Sequence, residues 1–126
     1  MTGIARRFFA LAVLAGVCGM IWGIQMAASG DHLMFPAHAH LNLLGWVGCA
    51  IFGFYYHLVP TSGWLPRAHF ALAAAGLVTL VPGIALAEMG GSAAPAGIGS
   101  ILTLLSMLTF AVVVLRGAGA GAPRLA

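Results

Sequence analysis

An all-α bundle of four membrane-spanning helices is the fold this sequence predicts. Hydrophobic residues make up 62% of its 126 positions and charged residues 6%. The mean hydropathy is +1.07. Short clusters of Gly, Pro, Ser and Asp cut the apolar chain into four lengths. No soluble domain covers that much apolar surface with so few polar groups, so the bilayer is the expected solvent. A span takes roughly 20 apolar residues, so one transmembrane domain over residues 1–126, with short connections and no extramembrane domain, accounts for the chain.

The first span is expected over residues 8–28 and ends where Ser29, Gly30 and Asp31 open a loop. The second covers 36–59 and stops at Pro60, Thr61, Ser62 and Gly63. The third covers 69–87, with Pro82 and Gly83 predicting a kink that neighbouring helices tolerate, and ends before Gly90, Gly91, Ser92 and Pro95. The fourth covers 97–115 and closes at Arg116, ahead of a Gly/Ala tail. A cleaved signal peptide is the alternative for the first span, with Arg6 and Arg7 before it and Ala27, Ala28 and Ser29 after it. The apolar run exceeds the usual ~7–15-residue signal core, which favours a span.

With the N-terminus inside, Arg6, Arg7, Arg67, Arg116 and Arg124 all fall on the cytoplasmic side and Asp31 and Glu88 outside. That distribution predicts an N-in/C-in, multi-pass protein of the cell inner (plasma) membrane. The pI near 9.5 then reflects topology, and no basic stripe with interleaved aromatics points to nucleic acid. Tyr55, Tyr56 and Trp64 fall at an interfacial aromatic belt, and His57 and His69 read as anchors at the cytoplasmic face. Cys18 and Cys49 lie inside apolar spans without a CxxC motif and read as unpaired packing residues. Eighteen glycines allow close helix approach, and four short helices bury little alone, so self-association is expected.

The polar residues at membrane depth carry the functional argument. His38 and His40 lie just inside the outer end of the second span, where polar groups are costly and tend to be functional. Two positions apart on a helix is a rotation of about 200°, so the two rings leave in nearly opposite directions and cannot share one ion. They suit two sites, one on each side of the helix, each completed by another helix or subunit. Imidazole is a common axial ligand of haem iron. The alternative is a pair of interfacial histidines bonded to backbone or headgroups.

The run His38-Ala-His40-Leu-Asn-Leu-Leu-Gly-Trp, continuing to Phe52-Gly-Phe-Tyr-Tyr-His-Leu-Val-Pro60, resembles the haem-ligating helices of subunit I of the haem–copper oxidase and nitric oxide reductase superfamily (cytochrome c oxidase subunit I-like). The match covers about 25 residues. By resemblance to the second helix of the nitric oxide reductase large subunit, His40 is a haem ligand with Asn42 its neighbour. By resemblance to the tenth helix of the oxidases, His38 and His40 each hold a haem. That subunit contains three pseudo-equivalent groups of four helices, and this chain looks like one group standing alone. The resemblance therefore implies a homo-oligomer, favouring a trimer, with b-type haem between His38 of one chain and His40 of the next.

The departures narrow the expectation. There is no His-His pair, and His69 and His57 fall at the opposite end of the bundle, His57 about 25 Å from His40 at 1.5 Å per residue. A copper centre of the family type is not expected. No acidic or lysine residue lines the spans for proton transfer, and His32 and Gln25 are the candidates for propionate contact in place of outer arginines. Glu88 is expected to face water. The resulting expectation is a bis-histidine haem b protein that transfers electrons, since six-coordinate iron leaves no position for substrate. No motif specifies its electron donor or acceptor. The alternatives are oxygen or nitric oxide chemistry at a five-coordinate haem, and a cofactor-free membrane subunit or assembly factor.

Overall fold

In the computed structural model, which describes Met1 and residues 3–120, four helical spans run antiparallel in sequence order. The first is α1 (Gly3–Ser29). The second is continuous from Phe35 to Leu58 and has three parts: α2 (Phe35–His40), a π-helical segment π1 (Leu41–Gly48) and α3 (Cys49–Leu58). The third and fourth are α4 (Trp64–Glu88) and α5 (Ala94–Ala120). All four are long and apolar enough to cross a membrane. Arg124 lies outside the described residues.

Three helices begin earlier than the hydrophobic runs: α1 at Gly3 rather than residue 8, α4 at Trp64 rather than 69, and α5 at Ala94 rather than 97. A helical backbone satisfies its own hydrogen bonds and so need not stop where the hydrocarbon does. Pro36, Pro66 and Pro95 all sit in first turns, where a missing N–H costs nothing. Two helix ends use glycine at positive φ. Gly30 (φ 71°) closes α1 with a single bond from its N–H to the Met26 carbonyl. Gly90 (φ 83°) closes α4 in a Schellman motif, Gly91 N–H bonding Leu86 O and Gly90 N–H bonding Ala87 O. The helix α4 runs unbroken through Pro82.

The spans pair as two hairpins joined by small residues. Between α1 and the second span, Gly16 lies under the Trp46 ring, Gly19 under the Asn42 amide and Gly53 under the Phe9 ring. Between α4 and α5 the backbones touch at Gly76, Gly83 and Gly99. An aromatic cluster locks the two hairpins together at the arginine-bearing end: Phe8, Phe52, Tyr56 and Phe110 come from α1, α3 and α5 and surround His69 of α4. Toward the other end a smaller core of Ala15, Ala37, Leu77 and Val81 joins α1, α2 and α4, and α5 takes no part in it.

The π segment has no counterpart in the sequence reading. Eight consecutive residues adopt it, longer than the usual single-turn bulge; such segments concentrate at functional sites. Gly45 and Gly48 remove two β-carbons from this stretch, and a Cβ at Gly45 would sit 2.7 Å from that of Ala15 and 3.1 Å from Leu77. No single side chain dictates the widening.

Candidate functional site

The two histidines of the resemblance emerge from α2 on opposite sides, as the helical rotation requires, and their surroundings differ. His40 is exposed on the exterior of the bundle. Its Nδ1 lies 2.7 Å from the Pro36 carbonyl. A carbonyl only accepts, so Nδ1 carries the proton and Nε2 keeps its lone pair, directed away from that bond. Metal-ligating histidines are usually oriented by this kind of second bond. Below His40, Leu43, Val47 and Ile51 continue an apolar outer face.

His38 is half-buried and turned toward α1. Its ring meets Trp22 edge-on at 6.4 Å and Phe35 at 6.5 Å. Its Nε2 lies 3.1 Å from where a Cβ on Gly23 would be. Its Nδ1 is buried without a hydrogen-bond partner. Asn42 belongs to this same side and not to the His40 side. Its amide donates to the His38 carbonyl at 2.9 Å and rests on Gly19.

These positions decide where a haem fits. Gly19 and Gly23 bring α1 against Asn42 and His38 too closely for a macrocycle to enter between α1 and α2 of one protomer. Outside the bundle there is room. His40 projects from it, and an open groove of about 440 Å³ on α1, lined by Cys18, Ile21, Trp22 and Gln25, passes the Trp22 ring that His38 touches. His40 would be free to hold an iron as it stands, whereas His38 would be so only with its ring turned out past Trp22. Among the described residues no three His, Cys, Asp or Glu side chains gather as a metal-binding group.

The loop before α2 is held by its own side chains. Asp31 Oδ1 accepts from Leu33 N–H at 2.9 Å, and His32 Nδ1 donates to Gly30 O at 3.1 Å. Both residues are exposed, as is Glu88. Cys18 and Cys49 are unpaired, Cys18 exposed and Cys49 buried.

His69 and Tyr56 are where the sequence reading departs from the structure. Both were expected at the membrane interface, yet both are fully buried. His69 Nδ1 and the Tyr56 hydroxyl share a hydrogen bond of 2.9 Å. The imidazole lies 4.5 Å from the Phe52 ring, edge-on, and 5.2 Å from Phe110, stacked. Its Nε2 has no partner. Because α4 starts five residues earlier than its hydrophobic run suggests, His69 sits more than a turn inside the helix, facing the core. Signals for this were present but scattered: Phe8, the pair Phe52 and Tyr56, and Phe110 lie on three different stretches of chain, and only the packed spans bring them to one ring. The His69→Ala variant is expected to lose about 2–4 kcal/mol of stability, since it empties a ring-sized space in the only cluster shared by all four spans among the described residues. The ring-conserving His69→Phe is expected to lose less than ~1.5 kcal/mol. Thermal or denaturant unfolding in detergent measures both.

Compared with known proteins, the chain matches no protein-family model, no curated sequence and no solved structure.

Proposed function

We propose that the chain is a b-type haem protein of the membrane, similar to a single four-helix unit of haem–copper oxidase subunit I. Haem would sit between copies of the chain, near the outer face of the inner membrane, with an N-in/C-in orientation. The observation that carries this reading is the exposed His40 imidazole, whose Nδ1–H donates to the Pro36 carbonyl so that Nε2 is free to ligate. The groove beside Trp22 on a neighbouring copy supplies an apolar seat, with Gln25 at its edge for a propionate. His38 of that neighbour, turned outward, completes bis-histidine ligation. A closed ring of copies lets every chain use both histidines; a trimer follows from the resemblance. The haem supplies one-electron chemistry at its iron; the chain's residues hold it, set its depth and exclude water.

The position of the His38 ring favours a second reading. If it stays packed on Gly23, His40 alone ligates, the iron is five-coordinate, and gas chemistry becomes the function. Visible spectra of the detergent-purified protein, oxidised and dithionite-reduced, test both. A sharp low-spin b-type spectrum insensitive to carbon monoxide supports electron transfer. A shift of the reduced Soret band under carbon monoxide supports the second reading. A protein that stays colourless after haem is supplied during expression overturns both and leaves a cofactor-free membrane subunit.

A further inference from the structure

The opposite end of the bundle holds a second constellation that the haem reading does not use. Arg7 of α1 and Arg67 of α4 line one cavity of about 260 Å³, together with Ser62, Gly63 and Pro66. Gly63 takes φ 99° and ψ −163°, a conformation essentially reserved for glycine, and it starts the 25-residue α4 without a side-chain cap. Pro66 has no N–H, so the backbone donor that the helix start brings to the cavity is the Gly63 N–H. Thr61 also lines the cavity, but its hydroxyl proton is committed to the Val59 carbonyl at 2.9 Å. The cavity therefore offers two guanidinium groups, a serine hydroxyl and a helix N-terminus.

No side-chain carboxylate balances that charge. The chain has two acidic residues, Asp31 and Glu88, and both lie at the other end of the spans. Two guanidinium groups from different helices border one cavity, and an anion seated in it would face both. On the other side of the same loop, Arg116 lines a cavity of about 290 Å³ with Leu65 and Val113, so positive charge borders the loop on both sides, with apolar walls toward the spans.

We propose that the Arg7–Arg67 cavity binds a phosphate ester. A doubly hydrogen-bonding guanidinium matches phosphate oxygens, and a helix N-terminus adds favourable field. It lies at the end of the spans, where a bilayer around them would place its headgroups, and basic pockets between spanning helices suit anionic lipids. A soluble phosphate ester presents the same group to the same donors.

Native mass spectrometry of the purified chain, titrated with phosphatidylglycerol, phosphatidylcholine or inorganic phosphate, tests this. The expected outcome is selective retention of phosphatidylglycerol over phosphatidylcholine. Arg7→Gln and Arg67→Gln should each weaken retention about tenfold, the effect of losing one charge-assisted contact. Arg6→Gln is the control, because Arg6 does not line the cavity. Retention of inorganic phosphate with the same dependence on Arg7 and Arg67, but not of lipid, assigns the site to soluble phosphate. Equal losses in Arg6→Gln and Arg7→Gln, or equal retention of the two lipids, would overturn the proposal. Thermal unfolding of each variant separates loss of the site from loss of the fold. Haem content is not read, so this outcome is independent of the haem reading.

Discussion

Under the proposed ligation, His40→Ala is expected to lower haem occupancy on the order of 100-fold or more, beyond the 10–100-fold cost of losing a mere supporting contact to a ligand. Its imidazole is exposed and held by the Pro36 carbonyl, so substitution removes the proposed ligand without disturbing the packing between spans. Stability should be unchanged within ~0.5 kcal/mol, as for a surface position. His38→Ala should behave differently. If its ring turns out to complete the iron, the variant keeps haem but converts the spectrum from low to high spin. If it remains against Gly23, the spectrum of the wild type is already high spin and the variant leaves it so. His57→Ala is the control, since its ring is exposed at the opposite end of the second span. Pyridine haemochrome content and reduced-minus-oxidised spectra of the three variants check the set. Full haem content in His40→Ala would sink the proposed ligation.

Gly99→Leu is expected to separate the α4–α5 hairpin. A Cβ at Gly99 would lie 2.5 Å from the Leu80 Cα, and one at Gly83 would lie 2.7 Å from the Pro95 carbonyl carbon. In both places the obstruction is backbone, which cannot swing aside as a side chain does. The cost should reach the upper end of overpacking, at least ~3 kcal/mol. Within a bilayer no hydrophobic drive between helices offsets it, since such helices associate through close packing. Gly97→Ala, with nothing within 4 Å of its Cβ, should be neutral or slightly stabilising. Thermal unfolding and size-exclusion profiles in detergent distinguish them. A Gly99→Leu protein as stable as Gly97→Ala would mean that α5 is not held where these contacts place it.

The spans were legible because bilayer thickness imposes a run length and loop residues break it, so Ser29 to Asp31, Pro60 to Gly63 and Gly90 to Ser92 mark the turns directly. The opposed directions of His38 and His40 were legible too, since α2 is an ordinary helix over that pair. The partners of Asn42 and His38 were not legible. They depend on which residue of α1 comes opposite, and glycines at 19 and 23 leave no hydropathy signature. His69 was misplaced for a related reason: hydropathy locates the edge of an apolar run, whereas the helix start at Trp64 and the ring of aromatics from three other stretches determine burial. The π segment is a pattern of backbone hydrogen bonds, and Leu41–Gly48 has the composition of any apolar span.

That segment lies between the two halves of the second span, with the histidines above it and the Phe52–Tyr56 lock below. Each turn closed by an i→i+5 bond holds one residue more than an α turn. Deleting a single residue between positions 41 and 48 would therefore let the stretch relax to α geometry with nearly the same number of turns, so the upper half would keep its facing. The aromatic lock would stay where it is. His38 and His40 would keep their neighbours although the span had lost a residue. The same deletion within α3, where no residue is in excess, would turn the pair by about 100°. The stretch is thus the one place in the second span where the gain or loss of a codon leaves the histidines aimed as they are.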